Sequence, residues 1–138
     1  PLLRPSHGAM AQGGKFELTI QHAQLVRKFD TIKCTQDVYV ALVRNLPNGN
    51  DVEFARTATC NSGDLRASWQ DEKFVVSQAG GTVLKLKVYV QHFWRTDTKC
   101  GDGLIAFDAA FASIAQGQVA AMDLPMYKGA AKTGSLRI

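Results

Sequence analysis

The sequence has no long apolar run. No stretch approaches the roughly 20 residues that cross a bilayer as a helix, which excludes a transmembrane helix. A large excess of charge of one sign is also lacking. Lys+Arg 16 against Asp+Glu 12 leaves a formal +4 at pH 7. That surplus favours lipid headgroups, phosphates or acidic proteins without choosing among them. Cysteine is rare: Cys34, Cys60 and Cys100 are far apart and odd in number, with no C-x-x-C and no Cys/His pair at metal-ligand spacing. This excludes a disulfide miniprotein and a structural zinc site, and it points to free thiols in a reducing compartment. There is no nucleophile elbow, no phosphate-cradling glycine loop, no metal motif and no aromatic-basic signature of an RNA-recognition sheet, so neither an enzyme nor a nucleic-acid binder is expected.

What is present fits one globular unit. The 138 residues provide one core and not two, and 46% apolar with 20% charged residues is an ordinary balance. Residues 1–10, PLLRPSHGAM, have no apolar periodicity and read as an expression remnant, leaving a single domain over 15–138. From residue 15 the pattern is short alternating segments with turns between them. KFELTIQHA alternates Phe16, Leu18 and Ile20 with Lys15, Glu17 and Thr19, and VYVALVR reads as a central strand. LPNGND is a hairpin loop leading into VEFARTAT. A short strand is expected around Phe74 to Ser77. TVLKLKVYV sets Val83, Lys85, Lys87 and Tyr89 on one face and Leu84, Leu86 and Val88 on the other. GLIAFDAAF, QVAAMDLPM and GSLRI follow, with one turn of helix an alternative at Ala109 to Ala115. Eight strand candidates at this spacing predict an all-β, antiparallel sandwich or barrel, with Leu18, Val40, Phe74, Leu86 and Val88 in the core.

The order TQDVYVAL, hairpin, ASWQDEKFVV, GTVLKLKVYV, long loop, GDGLIAF and GSLRI resembles a C2 domain over Lys15 to Ile138. The matching residues are Asp37, Tyr39 and Val40; Trp69, Glu72 and Phe74; and Leu84, Leu86, Val88 and Tyr89. The resemblance implies an eight-stranded antiparallel β-sandwich that binds at one end through three loops, often with calcium. It also places the calcium positions. Asp30 and Asp37 match two carboxylates, Val90 and His92 stand where two more belong, and Gly103 stands at the fifth, with Asp97 and Asp102 displaced nearby. Calcium needs six to eight oxygens, so these vestigial positions imply weak or absent binding and no cofactor. Histidine suits zinc or copper better, but His92 and His22 are isolated in the sequence, without Cys or Glu at ligand spacing.

Two loops replace the metal in this reading. LVRKFDTIKC carries Arg27, Lys28, Phe29 and Lys33, and QHFWRTDTKC carries Phe93, Trp94, Arg95 and Lys99. At one end of the sandwich they would present apolar wedges in a basic collar to an anionic leaflet. The alternative is that Phe93 and Trp94 plug that end. A second basic patch is read on a sheet face from Arg44, Arg56, Lys85 and Lys87. Two functions remain open: a calcium-independent module docking on anionic phospholipid, or a protein-interaction module within a larger scaffold or cytoskeletal protein. Either is expected to be cytoplasmic, peripheral to membrane or cytoskeleton, and monomeric as an isolated domain.

Overall fold

The structure, a computed structural model, describes residues 3–5, 15–27, 36–61, 65–70, 72–78, 81–92, 96–115 and 123–138, with the backbone alone for 3–5 and 113–115. The first alternating segment forms β2 (Lys15–Thr19) and β3 (His22–Leu25), after β1 (Leu3–Pro5). Phe16, Leu18 and Ile20 face inward, and so do Ala23 and Leu25. The inward phase therefore slips at Gln21–His22, where the chain passes from one sheet to another. A second strand makes the same passage beside it, as β6 (Arg66–Ser68) and β7 (Lys73–Ser77). β2 pairs with β7 and β3 with β6, and the crossing is bridged by Ile20 N–H to the Glu72 carbonyl (3.0 Å) and Trp69 N–H to the Gln21 carbonyl (2.8 Å).

The central strand is β4 (Val38–Asn45), whose Val38 to Val43 are buried on both faces. It lies between β5 (Asp51–Arg56) and β8 (Val83–Val90). The expected hairpin joins β4 to β5. Gly49 adopts φ 89, the left-handed conformation that glycine takes without steric cost, and Leu46 N–H closes on the Asn50 carbonyl at 2.6 Å. β9 (Thr98–Ala106), α1 (Phe107–Ala115), β10 (Asp123–Lys128) and β11 (Ala131–Arg137) complete the described elements.

The strand order β5-β4-β8-β9-β10-β11-β3-β6 is antiparallel throughout. β9 and β10 share one paired position, Tyr127 opposite Asp102, and there the sheet curls over to make the second layer. Gly101 and Gly103 let that layer close, since a Cβ on Gly103 would stand 2.6 Å from Leu124 Cδ2. If β2–β3 and β6–β7 are each taken as one strand that changes sheet, the chain from Lys15 onward gives the eight strands of the expected sandwich. β1 pairs with the free edge of β2, and it lies inside the segment read as a remnant.

Leu18, Val40, Leu86 and Val88 are fully buried as expected. Phe74 is only partly buried, at the margin of a core that takes Val76 from the same strand. The other correction concerns GLIAFDAAF, which is a strand only to Ala106 and a helix from Phe107. Asp108 sits in the first turn, where a carboxylate complements the helix dipole. Phe107 and Phe111 pack against Phe16. Of QVAAMDLPM, only the part from Asp123 is among the described residues. No helix is long and apolar enough to cross a membrane, among the described residues.

Candidate functional site

One end of the sandwich gathers the end of β3, the start of β4, and the segment joining β8 to β9. Val38 pairs with Val90, Gln91 N–H reaches the Asp37 carbonyl at 2.8 Å, and Val26 N–H reaches the Thr133 carbonyl at 2.9 Å. Val90 is buried, fixed in the ladder by Val38 on one side and Thr98 on the other. His92 turns inward, 8% exposed, with Nε2 at 2.8 Å from Thr98 Oγ1.

Asp97 has both carboxylate oxygens engaged. The Tyr39 hydroxyl donates to Oδ2 at 2.6 Å, and the His92 backbone N–H donates to Oδ1 at 3.2 Å. This brace ties the β8–β9 segment to β4. Burial and the Asp97 hydrogen bond push the Tyr39 phenol well above its ordinary pKa. Asp102 lies further along β9 on the outer face, opposite Lys87, with its Oδ2 2.7 Å from Lys99 Nζ. Asp37 is half-buried at the loop end. Among the described residues no group of three His, Cys, Asp or Glu side chains could hold a metal ion. Lys28, Phe29, Asp30, Lys33, Phe93, Trp94 and Arg95 lie outside the described residues; Arg27 is exposed at the end of β3.

Of the sheet-face cations, three share a surface. Ala41 is opposite both Arg56 and Lys87, and Val43 is opposite Lys85, which puts these residues on the outer side of β5-β4-β8. Arg44 is on the other side, opposite Leu84, with its guanidinium 4.9 Å above the Phe54 ring. Alternation along β4 already separates Arg44 from Tyr39, Ala41 and Val43. The outer face is also charge-paired rather than simply basic. Lys85 meets Asp51 and Arg56 meets Glu53, each at 2.7 Å. The Arg56 guanidinium lies 4.9 Å from the Tyr39 ring, and Tyr39 stacks on Tyr89 at 5.3 Å between centroids. Asp51 escapes a sequence reading because its meeting with Lys85 two strands away depends on strand register, with a bulge at Leu42/Val43 between.

His22 lies in β3 opposite Arg137 and Ser68. Cys60 and Cys100 are free thiols, and Cys34 lies outside the described residues. Burial pushes the Cys100 thiol up to about 12, against the pull of Lys128 and Arg27. A groove of about 420 Å³ runs along the crease between β9 and β10, walled by Leu104, Leu124, Pro125 and Tyr127 with Lys85 and Asp102 at its side.

No protein-family model matches the chain, and no curated protein matches it. Solved structures do. The first C2 domain of plant Extended Synaptotagmin 1 superposes with a TM-score of 0.66 at 19% identity, over 90% of this chain and 89% of that one. A C2 domain-containing protein from a putative elicitor-responsive gene gives 0.64 at 18% identity over 98% and 87%. The second C2 domain of BON1 gives 0.60 at 10% identity over 96% and 92%. The strand order, the curled sheet and these superpositions agree: this chain has the fold of a C2 domain.

Proposed function

We propose that the chain is a non-catalytic docking module that settles on anionic phospholipid by the loop end of the sandwich, without calcium. One observation supports this most directly. Asp97, the carboxylate best placed to rebuild a calcium site in the β8–β9 segment, is committed to Tyr39 and to the His92 amide. Opening it for a metal would strand a buried phenol and a backbone N–H, at a cost of about 1–3 kcal/mol for each unpaired group. Val90 and His92 offer no hard oxygen in its place. The docking surface of this reading comprises Arg27, Lys28, Phe29 and Lys33 from the first loop and Phe93, Trp94, Arg95 and Lys99 from the later one.

Co-sedimentation with phosphatidylserine–phosphatidylcholine vesicles tests it, in excess chelator and in calcium. Equal binding in the two conditions is expected. Binding only with calcium overturns the metal-free mechanism, and no binding in either overturns lipid docking. A protein-interaction module is the second reading, favoured by the β9–β10 groove, where Leu104 is 56% exposed. It takes over if vesicles are ignored.

A further inference from the structure

The turn of the β10–β11 hairpin lies at the end of the sandwich where β3 ends and β9 begins. That turn is Gly129-Ala130, with Gly129 at φ 64 and Lys128 paired to Ala131. Strand pairing lines up a row across four strands. Val26 at the end of β3 donates to the Thr133 carbonyl, the adjacent Lys132 is opposite Tyr127, and Tyr127 is opposite Asp102, which holds Lys99. Val26 is 62% exposed and Tyr127 45% exposed, two of the five exposed large apolar side chains among the described residues. Lys128 and Lys132 are exposed and make no ion pair among the described residues.

We infer that this hairpin, with Val26, is a third prong of the docking surface, presenting Tyr127 between Lys128 and Lys132 to an anionic lipid leaflet. The inference rests on the lipid reading above and adds to it a contact that neither loop supplies. Exposed tyrosine, with an apolar ring and a polar tip, suits the headgroup level of a bilayer. The flanking lysines supply the attraction to anionic lipid, at roughly fivefold in partitioning for each cation near the surface. The acid within the row, Asp102, is already spent on Lys99, so the charge it presents outward is positive.

The test uses the full chain with phosphatidylserine–phosphatidylcholine vesicles at low and at physiological ionic strength. Lys128→Glu with Lys132→Glu is compared with an equal charge change on the other sheet, Lys15→Glu with Lys73→Glu. Melting curves establish that all variants fold. The hairpin pair should lower partitioning roughly 25-fold or more at low salt, and the control pair far less. Tyr127→Ser should weaken binding several-fold at both ionic strengths. If wild type binds and the hairpin pair behaves like the control, the third prong is wrong while the lipid reading stands. If wild type does not bind, both fall together.

Discussion

Gly134 shows how little freedom some single positions have. It pairs with Leu25 across the β3–β11 ladder, and a Cβ there would collide with the Gln24 carbonyl oxygen and stand 3.0 Å from Met126 Cε. The carbonyl belongs to a paired strand and cannot withdraw. Gly134→Ala is expected to destabilise by about 1–3 kcal/mol or more, read as a lower urea midpoint with an unchanged m-value. Leu86 is the opposite case, a large side chain with no exposed surface. Leu86→Ala removes its burial and leaves a cavity, at about 2–5 kcal/mol. His22 gives the pH dependence. Partial burial, and then the Arg66 guanidinium, hold its imidazole below the ordinary 6.5. The unfolded chain therefore takes up a proton first as pH falls. The contribution of His22 is complete above about pH 6.5 and is lost as pH drops through the lower folded value. His22→Gln should flatten the decline in melting temperature between neutral and mildly acid pH.

At the level of elements, alternation carried most of the information. Leu84, Leu86 and Val88 are buried and Lys85 and Lys87 lie on the outer face because a strand has period two, and no tertiary knowledge is needed to see it. The segment after β9 was harder to read. Leu104-Ile105-Ala106 and Phe107-Asp108-Ala109 can both be written as a strand, and what decides is the Phe16 ring, on which Phe107 and Phe111 pack. That contact joins residues far apart in sequence, so local pattern does not contain it. Phe107→Ala is expected to cost about 3–5 kcal/mol and to reduce helical signal along with stability, measured by far-ultraviolet circular dichroism. At the proposed docking end, the sequence shows Val90 and His92 where the C2 resemblance leads one to expect carboxylates. The commitment of Asp97 to Tyr39 and the ion pair of Lys85 with Asp51 join residues far apart in sequence, so local pattern does not contain them, whereas Arg56 and Glu53 are only three residues apart.

For the whole molecule, the decisive quantity is the balance between apolar insertion and a modest positive charge. In the proposed docking, Trp94 and Phe93 supply a contribution almost independent of salt. Arg27, Lys28, Lys33 and Arg95 supply one that weakens as the screening length shrinks toward roughly 8 Å at physiological ionic strength, Lys99 being paired with Asp102. Trp94→Ala should therefore reduce vesicle binding at every salt concentration, and Lys28→Glu with Lys33→Glu mostly at low salt. A sharp fall in melting temperature for Trp94→Ala, with no lipid binding by wild type, would instead make the aromatic pair a plug at the end of the sandwich.

The place of β3 between β6 and β11 also bears on how the protein is made. Residues 22–25 leave the ribosome long before residues 134–137, which pair with one edge of that strand. At roughly 5–20 residues per second, the nascent chain carries that open edge for on the order of ten seconds. Until the final strand arrives, the apolar faces of β2 and β3 can pair with any other unfinished chain nearby. Crowded polysomes and slow elongation are then the conditions under which this domain is most exposed to aggregation, even if the completed fold is stable.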